Sequence, residues 1–247
     1  MIVTIHQPNF MPWLGLFQRV EKADLHIVLD HVQFPRGKGW TNRNKLLVGG
    51  KSQWLTLPVT RSGRSDQSIS DVRLSEPKHH LNKVSATLRH TYHDAPSYSM
   101  SRTVFEDSYL DRGDLVAALN QNFLAGVLAY ASLAPQIVRS SQMVREHPEL
   151  RELSGNTLIL SLAKLVGATR YISGRGCLDF IDPPSFEEAG IQFVFFEPEH
   201  IHYQQLIPDF ISSLSVFDHM SMLSSLDFKN LLSKGTFISP DSPAESD

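Results

Sequence analysis

The sequence has 247 residues, a formal net charge of −3 and 20% charged side chains. This length suits one large domain with a full hydrophobic core. The small net charge gives no global reason to expect duplex nucleic acid or an anionic membrane surface as a partner. A single cysteine, Cys177, excludes an internal disulfide and a cysteine-based zinc site, and we interpret it as buried filler. The absence of a leader-type segment and of a long apolar run predicts a cytoplasmic protein without membrane contact.

The first predicted strand leads into a turn rich in polar side chains. A β-branched run at residues 2–5 predicts a buried strand, and the stretch HQPNFMPWLG at 6–15 follows it with two prolines that exclude regular pairing. Ligands of open α/β sheets bind beyond the carboxyl ends of the strands. His6, Gln7 and Asn9 are therefore the first candidate site residues. A rigid turn in which they only satisfy backbone groups is an equal alternative.

A short helix at 16–23 and a second strand at 25–30 complete a predicted βαβ unit. Because the two strands of such a unit are neighbours, Asp30 is expected beside His6. The loop that follows contains Lys38, and its glycines and basic residues can approach an anion closely. A solvated surface loop is the competing interpretation.

Two adjacent glycines predict a hairpin turn within residues 45–59. The loop at 60–70 then carries Arg61 and Arg64, which are placed to close over a bound phosphate if the loop folds toward the site.

Helical periodicity dominates the middle of the chain and predicts a helical insertion at about 76–133. The helix at 76–92 also carries a basic stripe, for which we favour a solvated face over a ligand-binding or metal-binding one. The stripe consists of His79, Lys83, His90 and His93.

The second half returns to alternating strands and helices. The predicted fold is therefore α/β, a small, mainly parallel, Rossmann-like sheet with a β-hairpin and a helical insertion. A single domain is expected over 1–238, with a disordered tail at 239–247. The sheet strands are predicted near 2–6, 25–30, 170–173 and 191–196.

Several sequence motifs together resemble the WbqC-like family. They are the opening HQPNFMPWLG, LDHVQF at 29–34, GWTNRN at 39–44, and the later YISG, EEAGI, YQQ and LSVFD, which extend the similarity to about residue 218. The family pattern has a second Asp after Asp30 where this chain has His31, so a role of that acid in metal binding or proton transfer is not carried over. The positions that match the family motifs, and are implied as site residues, are His6, Gln7, Pro8, Asp30, Gln33, Trp40, Asn42, Arg43, Asn44, Tyr203 and Gln204.

The resemblance implies a role in bacterial O-antigen or other surface-polysaccharide biosynthesis, in which a glycyl or other aminoacyl group is transferred onto an amino sugar. Such chemistry needs a base for the attacking amine and donors for the oxyanion. His6, oriented by Asp30, is the candidate base, and the amides of Asn42 and Asn44 are the candidate donors. Because no G-x-S-x-G nucleophile motif is present, direct transfer is favoured over a covalent intermediate.

The expected partners are a small-molecule substrate, such as a nucleotide-linked sugar, and an acyl or aminoacyl donor, with Lys38 and Arg43 holding a phosphate. The sequence identifies no cofactor and no metal site. One alternative is a nucleotidyl-transferring or nucleotide-binding enzyme, because the order of the first elements is similar to that of nucleotidylyltransferases, although their H-x-G-H motif is missing. A second alternative is a non-catalytic ligand-binding protein of such a pathway.

Overall fold

The structure is a computed structural model that describes residues 1–37, 39–60 and 66–240. Arg61, Arg64, Lys38 and most of the predicted tail lie outside the described residues. The strands within them are β1 Ile2–His6, β2 Leu25–Val28, β3 Arg43–Val48, β4 Lys51–Thr56, β5 Gln136–Arg139, β6 Arg170–Gly174, β7 Gln192–Glu197 and β8 Thr236–Ile238. The α-helices are α1 Leu14–Glu21, α2 Pro77–Tyr92, α3 Tyr98–Tyr109, α4 Val116–Tyr130, α5 Ser140–Glu146, α6 Gly155–Leu165, α7 Pro183–Glu188, α8 Val216–Met222 and α9 Ser225–Leu232.

Six of the strands form one sheet in the order β5-β2-β1-β6-β7-β8, and only β8 runs antiparallel to its neighbour. The chain builds outward from β1 through β2 to β5 and then returns to pair β6 with the free side of β1. The direction of winding therefore reverses between β1 and β6. This confirms the predicted mainly parallel α/β fold, and adds β5 and β8 at the edges of the four predicted strands.

Helices cover both faces of the sheet, and two hydrophobic clusters result. The first cluster lies between the sheet and α6 and α7, where alternate residues of the strands point inward, as period-two side-chain alternation requires. The second cluster joins α1, the hairpin and the helices α2, α3, α4, α8 and α9. The predicted helical region thus packs on the hairpin and on the two late helices.

The hairpin of β3 and β4 turns at Gly49 and Gly50, whose φ angles of 57° and 74° favour residues without a Cβ. It begins at Arg43, slightly earlier than predicted, and its register pairs Val48 with Lys51. The hairpin stands apart from the six-stranded sheet. Ser215 N, at the start of α8, donates a hydrogen bond to Lys45 O at 2.9 Å, and Asn44 connects the hairpin to the turn that follows β1.

The basic stripe of α2 faces solvent. The four side chains are exposed, and His93 lies 3.1 Å from the exposed carboxylate of Asp94. They do not line the cavities at the carboxyl edge of the sheet.

Candidate functional site

A cavity of about 550 Å³ lies beyond the carboxyl ends of β1, β6 and β7. His6 at the end of β1, Gly174 at the end of β6 and Glu197 at the end of β7 contribute to its wall. The winding of the sheet reverses between β1 and β6, so the two following connections diverge and leave a crevice there. This is the position at which doubly wound sheets bind small molecules.

Arg19 of α1 lies in the wall of this cavity with only 6% of its surface exposed. Within the described residues it has no carboxylate partner, and its Nε atom has no hydrogen-bond partner. Burial lowers the pKa of Arg19, while Tyr171 and Cys177 act in the opposite direction. Removing a guanidinium from water costs several kcal/mol unless an anion or hydrogen bonds compensate, with ~20 kcal/mol as the idealised limit. The arrangement is therefore suited to an anionic ligand group.

His6 lies in the same wall as a neutral imidazole. Its Nδ1 atom is 2.7 Å from the carbonyl oxygen of Gln7, which can only accept, so Nδ1 carries the hydrogen and Nε2 keeps a lone pair. Burial, followed by the positive charge of Arg19, lowers the pKa of His6 to about 3, against the raising effect of the Gln7 hydrogen bond. Nε2 is consequently a hydrogen-bond acceptor at neutral pH.

The structure brings four of the predicted site residues together in the cavity wall: His6, Gln7, Asn9 and Trp40. Asn9 is 5% exposed, and its Nδ2 donor has no hydrogen-bond partner in the described residues. An orphaned buried amide donor next to an acceptor nitrogen offers a ligand both kinds of hydrogen bond.

Asp30 does not orient His6, contrary to expectation. The Asp30 carboxylate is fully buried and accepts hydrogen bonds from Ser141 N and Ser141 Oγ, both at 2.8 Å, and from Ser140 Oγ at 3.2 Å. Its oxygens are therefore occupied at the start of α5. The Nδ1 proton of His6 goes to the backbone instead, since a carbonyl oxygen of the adjacent residue lies within reach.

Asn42 and Asn44 are also committed to the backbone and do not line the cavity. Asn42 Nδ2 donates to Leu57 O at 2.8 Å. Asn44 Nδ2 donates to Met11 O at 2.6 Å and to Phe10 O at 3.2 Å. Asn44 fixes the turn after β1 against the hairpin, whereas Asn42 connects the two ends of the hairpin. Neither amide is placed to be the expected oxyanion donor, because neither lines the cavity.

The remaining early candidates lie near the surface. The Arg43 guanidinium stacks over Trp54, with 3.7 Å between Cζ and the ring centroid. Gln33 Nε2 donates to Asp66 Oδ1 at 3.4 Å, and Gln33 does not line the cavity. Lys38 lies outside the described residues.

Tyr203 lines a second cavity of about 570 Å³, which shares Trp13, Gly15 and Pro198 with the first. Its hydroxyl donates to the buried carboxylate of Asp218 at 2.5 Å. Gln204 is exposed and does not line this second cavity, whereas its neighbour Gln205 is buried.

Arg19 is not among the site residues predicted from the sequence, and Cys177, predicted to be buried filler, is half-buried in the wall of the first cavity. The available signal for Arg19 was a charged residue on the apolar side of a short amphipathic helix. In the described part of the chain, no group of three or more His, Cys, Asp or Glu side chains is placed to hold a metal.

The strand order and the cavity at its reversal define a doubly wound α/β protein with one cavity at its switch point. The chain belongs to the WbqC-like protein family, whose model matches residues 7–229. A protein of Mycobacterium tuberculosis, described as uncharacterized protein Rv1507c, is 25% identical over 221 residues, which cover 87% of this chain and 91% of that protein. No solved structure matches the chain. None of the helices in residues 1–37, 39–60 and 66–240 combines the length and apolarity needed to cross a bilayer.

Proposed function

We propose that this protein is an acyl or aminoacyl transferase that binds a phosphate-linked amino sugar, such as a nucleotide-linked one, in the cavity between β1 and β6. The observation that carries the proposal is Arg19, a buried guanidinium for which residues 1–37, 39–60 and 66–240 supply no carboxylate partner, at the position where doubly wound folds bind ligands. A phosphate supplies the opposite charge and accepts hydrogen bonds from the parallel N–H groups of the guanidinium.

His6 supplies the proton acceptor for the transfer. The sugar amine attacks the carbonyl carbon of an ester or thioester donor, a C–N bond forms, and the C–O or C–S bond of the donor breaks. The amine proton moves to His6 Nε2 and from there to the departing alkoxide or thiolate, so the imidazole is neutral again. The Asn9 Nδ2 donor lies in the same wall and is suited to stabilise the oxyanion.

Substrate binding makes His6 a better base in this scheme. The charge of Arg19 contributes to the low pKa of His6. A bound phosphate neutralises that charge, so the pKa of His6 rises toward the range in which imidazole transfers protons efficiently. The bound acceptor thereby removes the contribution of Arg19 to the low pKa of His6, while the larger contribution of burial remains.

The position of the cavity also favours a second candidate, a nucleotide-binding enzyme that transfers a nucleotidyl group, because switch-point crevices commonly bind nucleotides. That reaction releases pyrophosphate and depends on Mg²⁺. A product assay therefore separates the two: amide formation supports acyl transfer, and Mg²⁺-dependent release of pyrophosphate supports nucleotidyl transfer.

Thermal unfolding with pyrophosphate as the probe tests the binding step. A ligand that binds only the folded state adds RT ln(1 + [L]/Kd) to the free energy of unfolding. We expect Tm of the wild type and of the control Arg112→Met, which removes an exposed charge elsewhere, to rise with pyrophosphate concentration. Arg19→Met should lose the rise. An equal rise in Arg19→Met would overturn the assignment of the anion site.

Transfer is tested separately with His6→Asn. Incubation with a nucleotide-linked amino sugar and aminoacyl thioesters should give an amide product with the wild type only. His6→Asn should still bind pyrophosphate, because Arg19 is intact. Wild-type rates in His6→Asn would remove His6 from the mechanism.

A further inference from the structure

The three tryptophans of the sequence lie in one row that leads from the cavity to the surface. Ring centroids are 5.7 Å apart between Trp13 and Trp40 and 5.0 Å apart between Trp40 and Trp54. At the inner end, the His6 and Trp13 rings are 5.7 Å apart. We call Trp13, Trp40 and Trp54 the tryptophan row.

The outer part of the tryptophan row is exposed to a degree that packing does not explain. Trp40 and Trp54 expose 39% and 42% of their surface. Trp54 projects from β4, whose side chains are mostly exposed, and the Arg43 guanidinium over its ring holds it in place. Contiguous exposed aromatic surface beside a cavity is typical of a ligand-binding surface rather than of a core.

The ring geometry restricts the ligand. Neighbouring rings of the row are tilted by 57° and 48°, so no two of them form a parallel slot that could hold a flat base on both faces. A ligand of tilted rings stacks on one ring face at a time, which suits a partner that is apolar on one side and polar at its rim. A pyranose has this shape, since its axial C–H bonds pack on the negative face of an aromatic ring while its hydroxyls point to the rim.

The polar groups at the inner end fit the same partner. Asn9 Nδ2 is a buried donor without a partner in the described residues, and it lines the cavity together with Trp13 and Trp40. His6 Nε2 is an acceptor. The amine of an amino sugar can donate to His6 Nε2, and a ring hydroxyl can accept one of the two hydrogens of Asn9 Nδ2, so the other hydrogen stays available for the oxyanion.

We propose that the tryptophan row binds successive pyranose rings of an oligosaccharide acceptor, whose innermost ring, nearest Trp13, is the phosphate-linked amino sugar that enters the cavity beside His6. The tryptophan row can contact more than one pyranose ring, because its neighbouring ring centroids are 5.7 Å and 5.0 Å apart. The inference rests on the proposed function only for the reaction that follows, since binding of the glycan to the row requires neither Arg19 nor transfer.

Tryptophan fluorescence tests this directly, because every tryptophan of the chain belongs to the row. The probes are glucosamine, its β-1,4-linked dimer and trimer, and UDP. For the wild type we expect a change in emission whose apparent affinity increases from monomer to trimer. Trp54→Ala should weaken trimer binding about 10-fold, as loss of one stacking contact does, and leave glucosamine binding unchanged. Trp54→Phe should fall between them.

The matched control is Phe237→Ala, which truncates another exposed aromatic residue that lies under an arginine but outside both cavities. It should bind the trimer as the wild type does. Equal trimer affinity in the wild type and Trp54→Ala would overturn the proposal. A fluorescence response to UDP that Trp54→Ala abolishes would also overturn the proposal, because the tryptophan row would then bind a nucleobase.

The pyrophosphate response separates this proposal from the proposed function. Trp54→Ala should keep the Arg19-dependent rise in Tm. Trimer binding that persists in Arg19→Met would support the row even if the anion site fails, and an intact pyrophosphate response without trimer binding would refute the row alone.

Discussion

A Cβ atom on Gly174 would collide with Nη1 of Arg19, so the glycine at the end of β6 makes the room that the guanidinium occupies. The φ angle of Gly174 is −88°, which any residue adopts, so the requirement is for space alone. We predict that Gly174→Ala displaces the guanidinium and weakens pyrophosphate binding at least about 10-fold, equivalent to ~1.4 kcal/mol. Because Nη1 ends a flexible side chain, the free energy of unfolding should change by less than about 1 kcal/mol.

Gly176 supplies the matched control, since a Cβ there would have nothing within 4 Å. It lies in the same cavity wall. Calorimetric titration of both alanine variants with pyrophosphate measures the difference. Equal affinities would show that the position of Arg19 does not depend on Gly174.

The relationship between Arg19 and Gly174 also shows what the sequence could not reveal. His6, Gln7 and Asn9 were accessible to prediction because a β-branched run followed by prolines marks a strand end locally. The burial of Arg19 depends on a glycine on a strand far along the chain. Local periodicity contains no such information.

The fold also has elements that the sequence predicts and elements that it does not. Runs of β-branched and aromatic residues identified the central strands, whereas β5 and β8, at the two edges, have only four and three residues and were omitted from the predicted sheet. Asn42 and Asn44 illustrate the corresponding error for the site. An amide that satisfies buried backbone groups and an amide that binds a ligand look identical in a sequence.

The YQQ motif is predicted to stabilise the fold through its last residue. Gln205 exchanges two hydrogen bonds with the backbone of Ile211, and its Nε2 lies 3.2 Å from Asp218 Oδ2. Gln205→Ala leaves these buried groups without partners and should lower the free energy of unfolding by about 1–3 kcal/mol. Gln204→Ala, at an exposed neighbour, should change it by less than about 0.5 kcal/mol. Urea denaturation measures both, and a larger loss in Gln204→Ala would point to a role of Gln204 that these contacts do not explain.

The hydrogen bonds between Asp30, which follows β2, and Ser141 of α5 are predicted to stabilise the fold. Asp30→Ala removes both 2.8 Å hydrogen bonds with Ser141, and Ser141→Ala removes the one from Ser141 Oγ. Because the two variants lose a shared hydrogen bond, their losses in the free energy of unfolding should not add. A double-mutant cycle should give a coupling energy of about 0.5–3 kcal/mol. Pyrophosphate affinity should be unchanged in both variants, because Asp30 does not line the cavity. Additive losses in the free energy of unfolding would show that Asp30 and Ser141 do not stabilise the fold through their hydrogen bonds to each other.

Stability is predicted to fall in acid because His26 is buried as a neutral group. Burial, followed by the neighbouring His6 and Arg19, lowers its pKa to about 3, against the raising effect of a hydrogen bond with the backbone of Thr4. The unfolded state has the ordinary value of about 6.5, so between about pH 6.5 and 3 only the unfolded chain binds this proton. The free energy of unfolding therefore decreases with falling pH, by at most ~1.4 kcal/mol per pH unit for this residue.

Urea titrations at several pH values between 4 and 7 measure this slope. His26→Leu should flatten it, whereas His90→Leu, at an exposed position of α2, should leave it unchanged. Identical slopes in the wild type and His26→Leu would assign the acid sensitivity to other groups.

Cys177 is the only thiol of the chain and lies half-buried in the same cavity wall as Arg19. We predict that iodoacetamide modifies it once per chain and that pyrophosphate slows the modification, because a ligand at Arg19 restricts access to the cavity. Mass spectrometry measures the alkylation rates with and without pyrophosphate, and in Arg19→Met the two rates should be equal.

Cys177→Ser should retain transfer activity, since direct attack of the amine needs no thiol. Loss of amide formation in Cys177→Ser, with pyrophosphate binding intact, would instead indicate that the acyl group passes through a thioester on Cys177.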